Sequence, residues 1–346
     1  MDILLLGGTG AIGTYLISIL SKNNNINVTV TSRKRRNSNG NINYVVGNAR
    51  DMAFISNLLR DNHYDVIVDF MNYDLEEFVE HHQILLNATD HYIFLSSSRV
   101  YANYEGKITE NCSRLLEASN DKAFLSTNRY ALRKAREEDI LQNSDMTNFS
   151  IIRPYITYSS RRLQLGIYEK EEWLYRILNN KPLIMSEGIL DKTTTLSFGM
   201  DVAYGIYKIA HGNPSADAVN ITTTETTTWM DVLKLYASII KEQVGKKTIL
   251  YTSHEMNSIE TLFEGGYNTI YDRQWNRKFD NSKAEKLCGH IDYLGIRDGL
   301  SACLNIFLRD WKEMGNEIFL PLNQSYEKEM DRLVQDFTVQ KEIVQL

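Results

Sequence analysis

Ile3-Leu4-Leu5-Leu6-Gly7-Gly8-Thr9-Gly10-Ala11-Ile12-Gly13 begins two residues into the chain, and the rest is arranged around it. A short, unbroken apolar run reads as a strand buried on both faces, and this one breaks at once into glycines. Residues 14–20 continue with apolar side chains at helical spacing. Strand, glycine turn and helix together form the context that a dinucleotide fingerprint requires. The glycines turn the chain tightly and let backbone amides approach a pyrophosphate. The helix N-terminus then offers unpaired N–H groups and a partial positive charge. Gly7, Gly10, Ala11, Ile12 and Gly13 are therefore the first candidate cofactor contacts. An ordinary glycine-rich turn shares this local pattern, so the segments that follow carry the decision.

Residues 26–31 alternate with β-branched side chains and read as a second strand, which runs into Ser32-Arg33-Lys34-Arg35-Arg36. A carboxylate at this place would accept hydrogen bonds from the ribose hydroxyls of NAD, whereas arginine suits the 2′-phosphate of NADP. Four cations and no acid point to NADP(H), with NAD(H) as the alternative, and single out Ser32 and Arg33. Strands are expected at 43–46, 65–70, 92–95 and 149–152, with helices ending near Leu59 and spanning 76–87 and 127–142. Strands alternating with helices predict an α/β protein with a Rossmann-type doubly wound parallel sheet. Ligands on such sheets bind beyond the carboxyl ends of the strands. The glycine loop, the basic turn, residues 69–73 with Phe70 and Met71, and the cluster Ser96-Ser97-Ser98-Arg99 all fall there.

At 346 residues and 43% hydrophobic content the chain can bury a large core and a smaller second one. The net charge of -6 gives no support to nucleic acid as the main partner. No run reaches the length of a membrane span, and the apolar start reads as a strand, with no basic segment before it. Cys112, Cys288 and Cys303 are widely spaced, which fits a reducing cytoplasm and neither a disulfide frame nor a metal site.

Tyr130-Ala131-Leu132-Arg133-Lys134 lies in the expected helix 127–142, so its tyrosine and lysine share one face. A free tyrosine titrates near pH 10, and an adjacent ammonium favours its ionised form. Alone, such a pair arises often by chance. Placed after a serine-bearing fifth strand in a chain with a glycine fingerprint, it points to proton transfer.

These residues resemble the extended short-chain dehydrogenase/reductase superfamily of NAD(P)-dependent nucleotide-sugar epimerases, dehydratases and reductases. Gly7, Gly10 and Gly13 fit its GxxGxxG loop, and residues 94–101 its serine-bearing strand end. Tyr130 and Lys134 fit YxxxK, and Arg153-Pro154 fits its sixth strand end. Asn48 and Ala49 stand in the segment that borders adenine, with Asn48 where Asp is usual. The resemblance implies that Tyr130 exchanges a proton with a sugar oxygen and that Ser97 donates to the same oxygen, with Ser96 and Ser98 as rivals. It also implies that Lys134 holds the nicotinamide ribose and that Pro154 borders the cofactor. The implied arrangement has the dinucleotide domain at 1–160, with returning segments at about 195–222. A mixed α/β substrate domain follows at 161–194 and 223–324, and an amphipathic C-terminal helix at 325–346.

Three reactions share this apparatus. Dehydratases of the superfamily carry an acid and a base after the catalytic serine or threonine, and this chain has Ser98 and Arg99 there. The basic end of strand two favours reduction of a keto nucleotide-diphosphate sugar, with a nucleotide-sugar epimerase as the alternative. A non-catalytic dinucleotide- or RNA-binding relative is the third reading. Ser98, Arg99 and Tyr155 are candidate substrate contacts, and Arg161, Arg162, Arg176 and Arg273 candidate diphosphate ligands. A homodimer is expected by resemblance.

Overall fold

Successive residues of the first strand face different layers. Ile3 and Leu5 pack with Leu16, Val28 and Val202, while Leu4 and Leu6 pack with Ile55, Phe78 and Leu85. A strand covered on both faces must be apolar throughout, which is why the opening run does not alternate. The computed structural model describes residues 1–253, 266–315, 321, 324–336 and 343–345.

Seven strands form the main sheet: β1 (Asp2–Leu6), β2 (Asn27–Ser32), β3 (Ile42–Val46), β4 (Tyr64–Asp69), β5 (Thr89–Leu95), β6 (Phe149–Arg153) and β7 (Ala218–Asn220). Their order is β7-β6-β5-β4-β1-β2-β3, and every pairing is parallel. The chain winds outward from β1 in one direction and from β4 in the other. Leu6 therefore lies beside Asp69 where the winding reverses, and a crevice opens beyond those strand ends. The covering helices include α1 (Gly13–Leu20), α2 (Met52–Leu59), α3 (Leu75–Asn87), α4 (Tyr130–Gln142) and α5 (Gly199–Ala210). This is the Rossmann-type α/β fold expected.

The helix foreseen from residue 127 starts instead at Tyr130. The Thr127 hydroxyl bonds the Phe124 carbonyl at 2.7 Å, and Arg136 takes the carbonyls of Leu125 and Thr127 at 2.6 Å each. Those bonds close the preceding short helix Lys122–Leu125 and leave Tyr130 as the first helical residue.

A second apolar cluster lies beyond the sheet. It gathers Trp173, Leu183, Trp229, Tyr236, Leu250 and Leu304, with Trp173 stacked on Tyr236 at 4.6 Å. Helices Lys170–Leu178, Trp229–Val244 and Ile296–Glu313 surround it, and strands Leu183–Ser186, Ile249–Ser253 and Ile343–Gln345 form a small sheet against it. The tail is not helical to its end. Its helix spans Gln324–Asp336, and the β-branched Ile343 and Val344 then pair antiparallel with Ile249–Ser253. Met330, Leu333 and Val334 pack on the second cluster of this chain, while Phe337 lies outside the described residues. Among the described residues no helix is long and apolar enough to cross a membrane, and no group of His, Cys, Asp or Glu could hold a metal ion.

Candidate active site

Gly7 adopts φ +67°, a conformation that side-chain-bearing residues rarely take, and its amide donates to the Thr31 hydroxyl at 3.0 Å. A Cβ on Gly13 would sit 2.3 Å from the Gly8 carbonyl oxygen. Gly10 differs, because nothing of the protein lies within 4 Å of where its Cβ would be. Its open side faces a cleft of about 670 Å³ that Gly7, Ala11, Ile12 and Gly13 also line. No side chain caps the first amides of α1. An uncapped helix start beside an open glycine fits a pyrophosphate.

The walls of the cleft come from consecutive strand ends. Phe70 and Met71 follow β4, Ser97 and Arg99 follow β5, and Pro154 and Tyr155 follow β6. Tyr130 and Lys134 enter from the first turn of α4. The Ser97 hydroxyl accepts the Arg99 amide at 3.2 Å, capping the short turn Ser98–Val100. Its own proton is taken by no described residue and remains available to an oxygen in the cleft. Lys134 is almost fully buried. Its Nζ lies 2.9 Å from Glu137 Oε2, 3.5 Å from the Met71 carbonyl and 4.4 Å from the centre of the Phe94 ring. The arginine Cζ of residue 99 lies 5.3 Å from the centre of the Tyr130 ring.

A buried polar network fixes these strand ends. Glu138, fully buried on α4, accepts from Arg153 at 2.8 and 2.6 Å, from Arg114 at 3.1 Å and from the Ser96 hydroxyl. Arg153 also donates to the Tyr101 hydroxyl at 2.7 Å, which donates to Asn220 Oδ1 at 2.8 Å. One carboxylate thus ties α4 to the ends of β5 and β6, and through Tyr101 to β7. Beneath the cleft, burial holds the Asp69 carboxyl above its usual range, although it accepts from the Met71 amide at 2.9 Å and the Tyr92 hydroxyl at 2.7 Å.

On the far side of the cleft, Arg162 pairs with Glu169 at 2.8 Å, and Arg273 pairs with Asp272 while its Nε donates to the Gly166 carbonyl at 2.9 Å. Glu172 also lines the cleft, and burial pushes its carboxyl up to about 7. Three expected substrate contacts lie elsewhere. Ser98 is fully buried and donates to the Arg153 carbonyl at 2.8 Å. Arg161 is exposed, and its carbonyl accepts from Lys170. Arg176 is buried against Glu327 at 2.9 Å and Asp331 at 3.2 Å, tying down the tail helix. Nor does the cleft reach the turn after β2. The Ser32 hydroxyl donates to the Lys34 carbonyl at 2.8 Å, Arg33 is exposed, and Asn48 and Ala49 lie in the loop after β3.

Sequence reasoning passed over Gln164, Glu169, Glu172, Asn268 and Tyr326, which line the cleft together with Asn72 of the expected edge segment 69–73. Only Gln164 stood next to a quoted motif. The others converge through folding of the second region and leave no local signal.

The sequence model of the NAD dependent epimerase/dehydratase family matches residues 3–221. No curated protein sequence matches the chain. Among solved structures, UDP-glucuronic acid 4-epimerase from Bacillus cereus, in complex with UDP-glucuronic acid and NAD, is 19% identical with a TM-score of 0.66, covering 90% of this chain and 99% of that one. The Bordetella bronchiseptica enzyme WbmH in complex with NAD+ is 14% identical with a TM-score of 0.67, covering 90% and 98%. An epimerase from Methanothermobacter thermautotrophicus is 15% identical with a TM-score of 0.68, covering 91% and 94%. With the family model spanning the glycine loop, the serine turn, the Tyr130–Lys134 pair and the last strand of the main sheet, this chain belongs to the NAD dependent epimerase/dehydratase family.

Proposed function

We propose that this chain is a nucleotide-sugar epimerase of the 4-epimerase type that keeps NAD bound through turnover. The reading is carried by one observation: the glycine loop, Ser97, Tyr130 and Lys134 share a single cleft with two arginines of the second region. Gly7 to Gly13 and the start of α1 hold the pyrophosphate, and Lys134 the ribose next to the nicotinamide. When bound, the dinucleotide supplies the hydride acceptor and, later, the donor. Tyr130 takes the proton of the sugar hydroxyl as the same carbon is oxidised, and returns it when that carbon is reduced on its other face. Ser97 donates to that oxygen throughout and stabilises the negative charge that develops on it. Arg162 and Arg273 hold the diphosphate, with segments 161–194 and 223–324 forming the substrate side. The Bacillus cereus epimerase of the same fold, which binds both UDP-glucuronic acid and NAD, supports the epimerase reading.

A second reading, the NADPH-dependent reductase, is favoured by the exposed basic turn 33–36 and the absence of an acid at the end of β2. One experiment separates the two. The purified protein is denatured, the released nucleotide identified, and UDP-sugars are incubated with the native protein under NMR. The epimerase reading expects NAD in the supernatant and a C4 epimer formed without net cofactor consumption. Empty protein that consumes NADPH stoichiometrically with a 4-keto nucleotide sugar, and forms no epimer, overturns it.

A further inference from the structure

Arg99 occupies the serine turn at the end of β5, two residues from Ser97 and against the Tyr130 ring. It therefore lines the cleft beside the serine and tyrosine, with its Cζ 5.3 Å from the centre of the Tyr130 ring. Its guanidinium makes no hydrogen bond with any described residue, and its buried Nε is left with an ion pair alone. The nearest carboxylate oxygen, Asp272 Oδ2, is 3.5 Å away. Asp272 is already engaged. Arg273 bonds Oδ2, while Arg277 at 2.9 Å and the Tyr155 hydroxyl at 3.2 Å bond Oδ1. Arg277 is further occupied by the carbonyls of Tyr101 and Ala102, and Arg273 by that of Gly166. Three guanidiniums share one carboxylate, and of the three only Arg99 lacks a carbonyl partner. The crowding is felt: burial first, and then the charge of Arg99, push Arg273 and Arg277 down to about 10. A mostly buried cation whose only counter-charge is a carboxylate shared with two other arginines is under-compensated, and a further anion in the cleft would complete it.

We propose that Arg99 is the specificity residue of this site, holding a carboxylate on the sugar itself, so that the substrates are nucleotide-diphosphate uronates rather than neutral hexoses. The proposal rests on the epimerase reading. In a hexuronate that reacts at C4, the carboxylate carbon is two bonds from the reacting carbon, whereas the phosphorus on the C1 oxygen is five bonds away. A guanidinium against the tyrosine that works on C4 is placed for the first and not for the second. Forked geometry suits a carboxylate, and a site built around a charged partner rejects the analogue that lacks it.

The test compares UDP-glucuronate with UDP-glucose in the NAD-loaded enzyme, by epimer formation and by calorimetric binding to Tyr130→Phe. Wild type is expected to favour the uronate, and Arg99→Gln to lower the uronate-to-hexose ratio of kcat/KM on the order of a hundredfold, the scale of losing one member of a buried charge pair. Arg99→Lys is expected to restore part of the ratio and to control for folding. A wild-type preference for the neutral sugar, equal losses on both sugars, or no binding of either overturns the proposal. If neither sugar turns over yet the uronate binds tighter in an Arg99-dependent way, the carboxylate site stands and the epimerase reading falls.

Discussion

Tyr130→Phe removes one oxygen from the cleft and leaves the glycine loop and the Lys134 contacts in place. Dinucleotide retention is expected to persist while turnover falls a hundredfold or more, the range for losing a positioned proton-transfer group. Release of bound nucleotide and initial epimerisation rates check both halves, and near-normal rates remove Tyr130 from its role. Glu138 behaves differently, because its work is structural. Fully buried and bonded by two arginines and a serine, it anchors α4 to the strand ends that carry Ser97 and Pro154. Glu138→Gln leaves Arg153 deep in the protein without a charged partner, and a loss of about 3–5 kcal/mol in unfolding free energy is expected. Denaturant titration measures it, and a loss below about 1 kcal/mol would mean that the network carries little stability. Arg153 and Glu138 were legible only in part. The Arg153-Pro154 pair marked a strand end in the sequence, but nothing there showed that a helix residue 15 positions away would bind it.

At the scale of elements, strands could be read because a parallel sheet covered on both sides imposes apolar runs on its central strands, while β2 and β3 toward the edge show β-branched or mixed patterns, and turns follow at once. Helices with a distinct apolar face were read to within a few residues. The arginines resisted reading for a physical reason: a guanidinium has the same composition signal whether it meets a ligand, water or a distant carboxylate. Arg176 shows the point, since its partners Glu327 and Asp331 lie 151 and 155 residues further on. Those contacts, with Lys181 to Glu327 at 2.8 Å and to Asp331 at 2.6 Å, clamp the tail helix Gln324–Asp336, from which Tyr326 lines the cleft. Arg176→Gln is therefore expected to loosen that helix without unfolding the sheet. Lys181 still screens Glu327, so the expected cost is about 2–3 kcal/mol, less than for a pair left wholly uncompensated. Limited proteolysis should cut near residue 324 faster than in wild type, and KM should rise while dinucleotide retention holds. An unchanged cleavage pattern would show that apolar packing of Met330 and Leu333 alone secures the helix.

Over the whole molecule, buried titratable groups set how stability responds to pH, and two of them pull in opposite directions. His91 on β5 shares a hydrogen bond with the Ser150 hydroxyl at 2.8 Å, and burial pushes it from 6.5 down to about 4. The unfolded chain therefore binds this proton at a higher pH than the native protein. Stability supplied by neutral His91 is complete above pH 6.5 and is lost as pH falls toward 4. Asp201, on α5, accepts the Leu294 amide at 2.9 Å, and burial pushes it from 3.8 up to about 6. Here the native state holds the proton longer, so stability is lost as pH rises from 3.8 to 6 and is level above that. Urea unfolding of wild type, His91→Gln and Asp201→Asn between pH 4 and 7.5 separates the two. The stability of wild type relative to His91→Gln should climb with pH and flatten near 6.5. Relative to Asp201→Asn it should decline with pH and flatten near 6. Parallel curves for either variant would mean that its group titrates alike in the folded and unfolded chain, and that its burial carries no proton-linked cost.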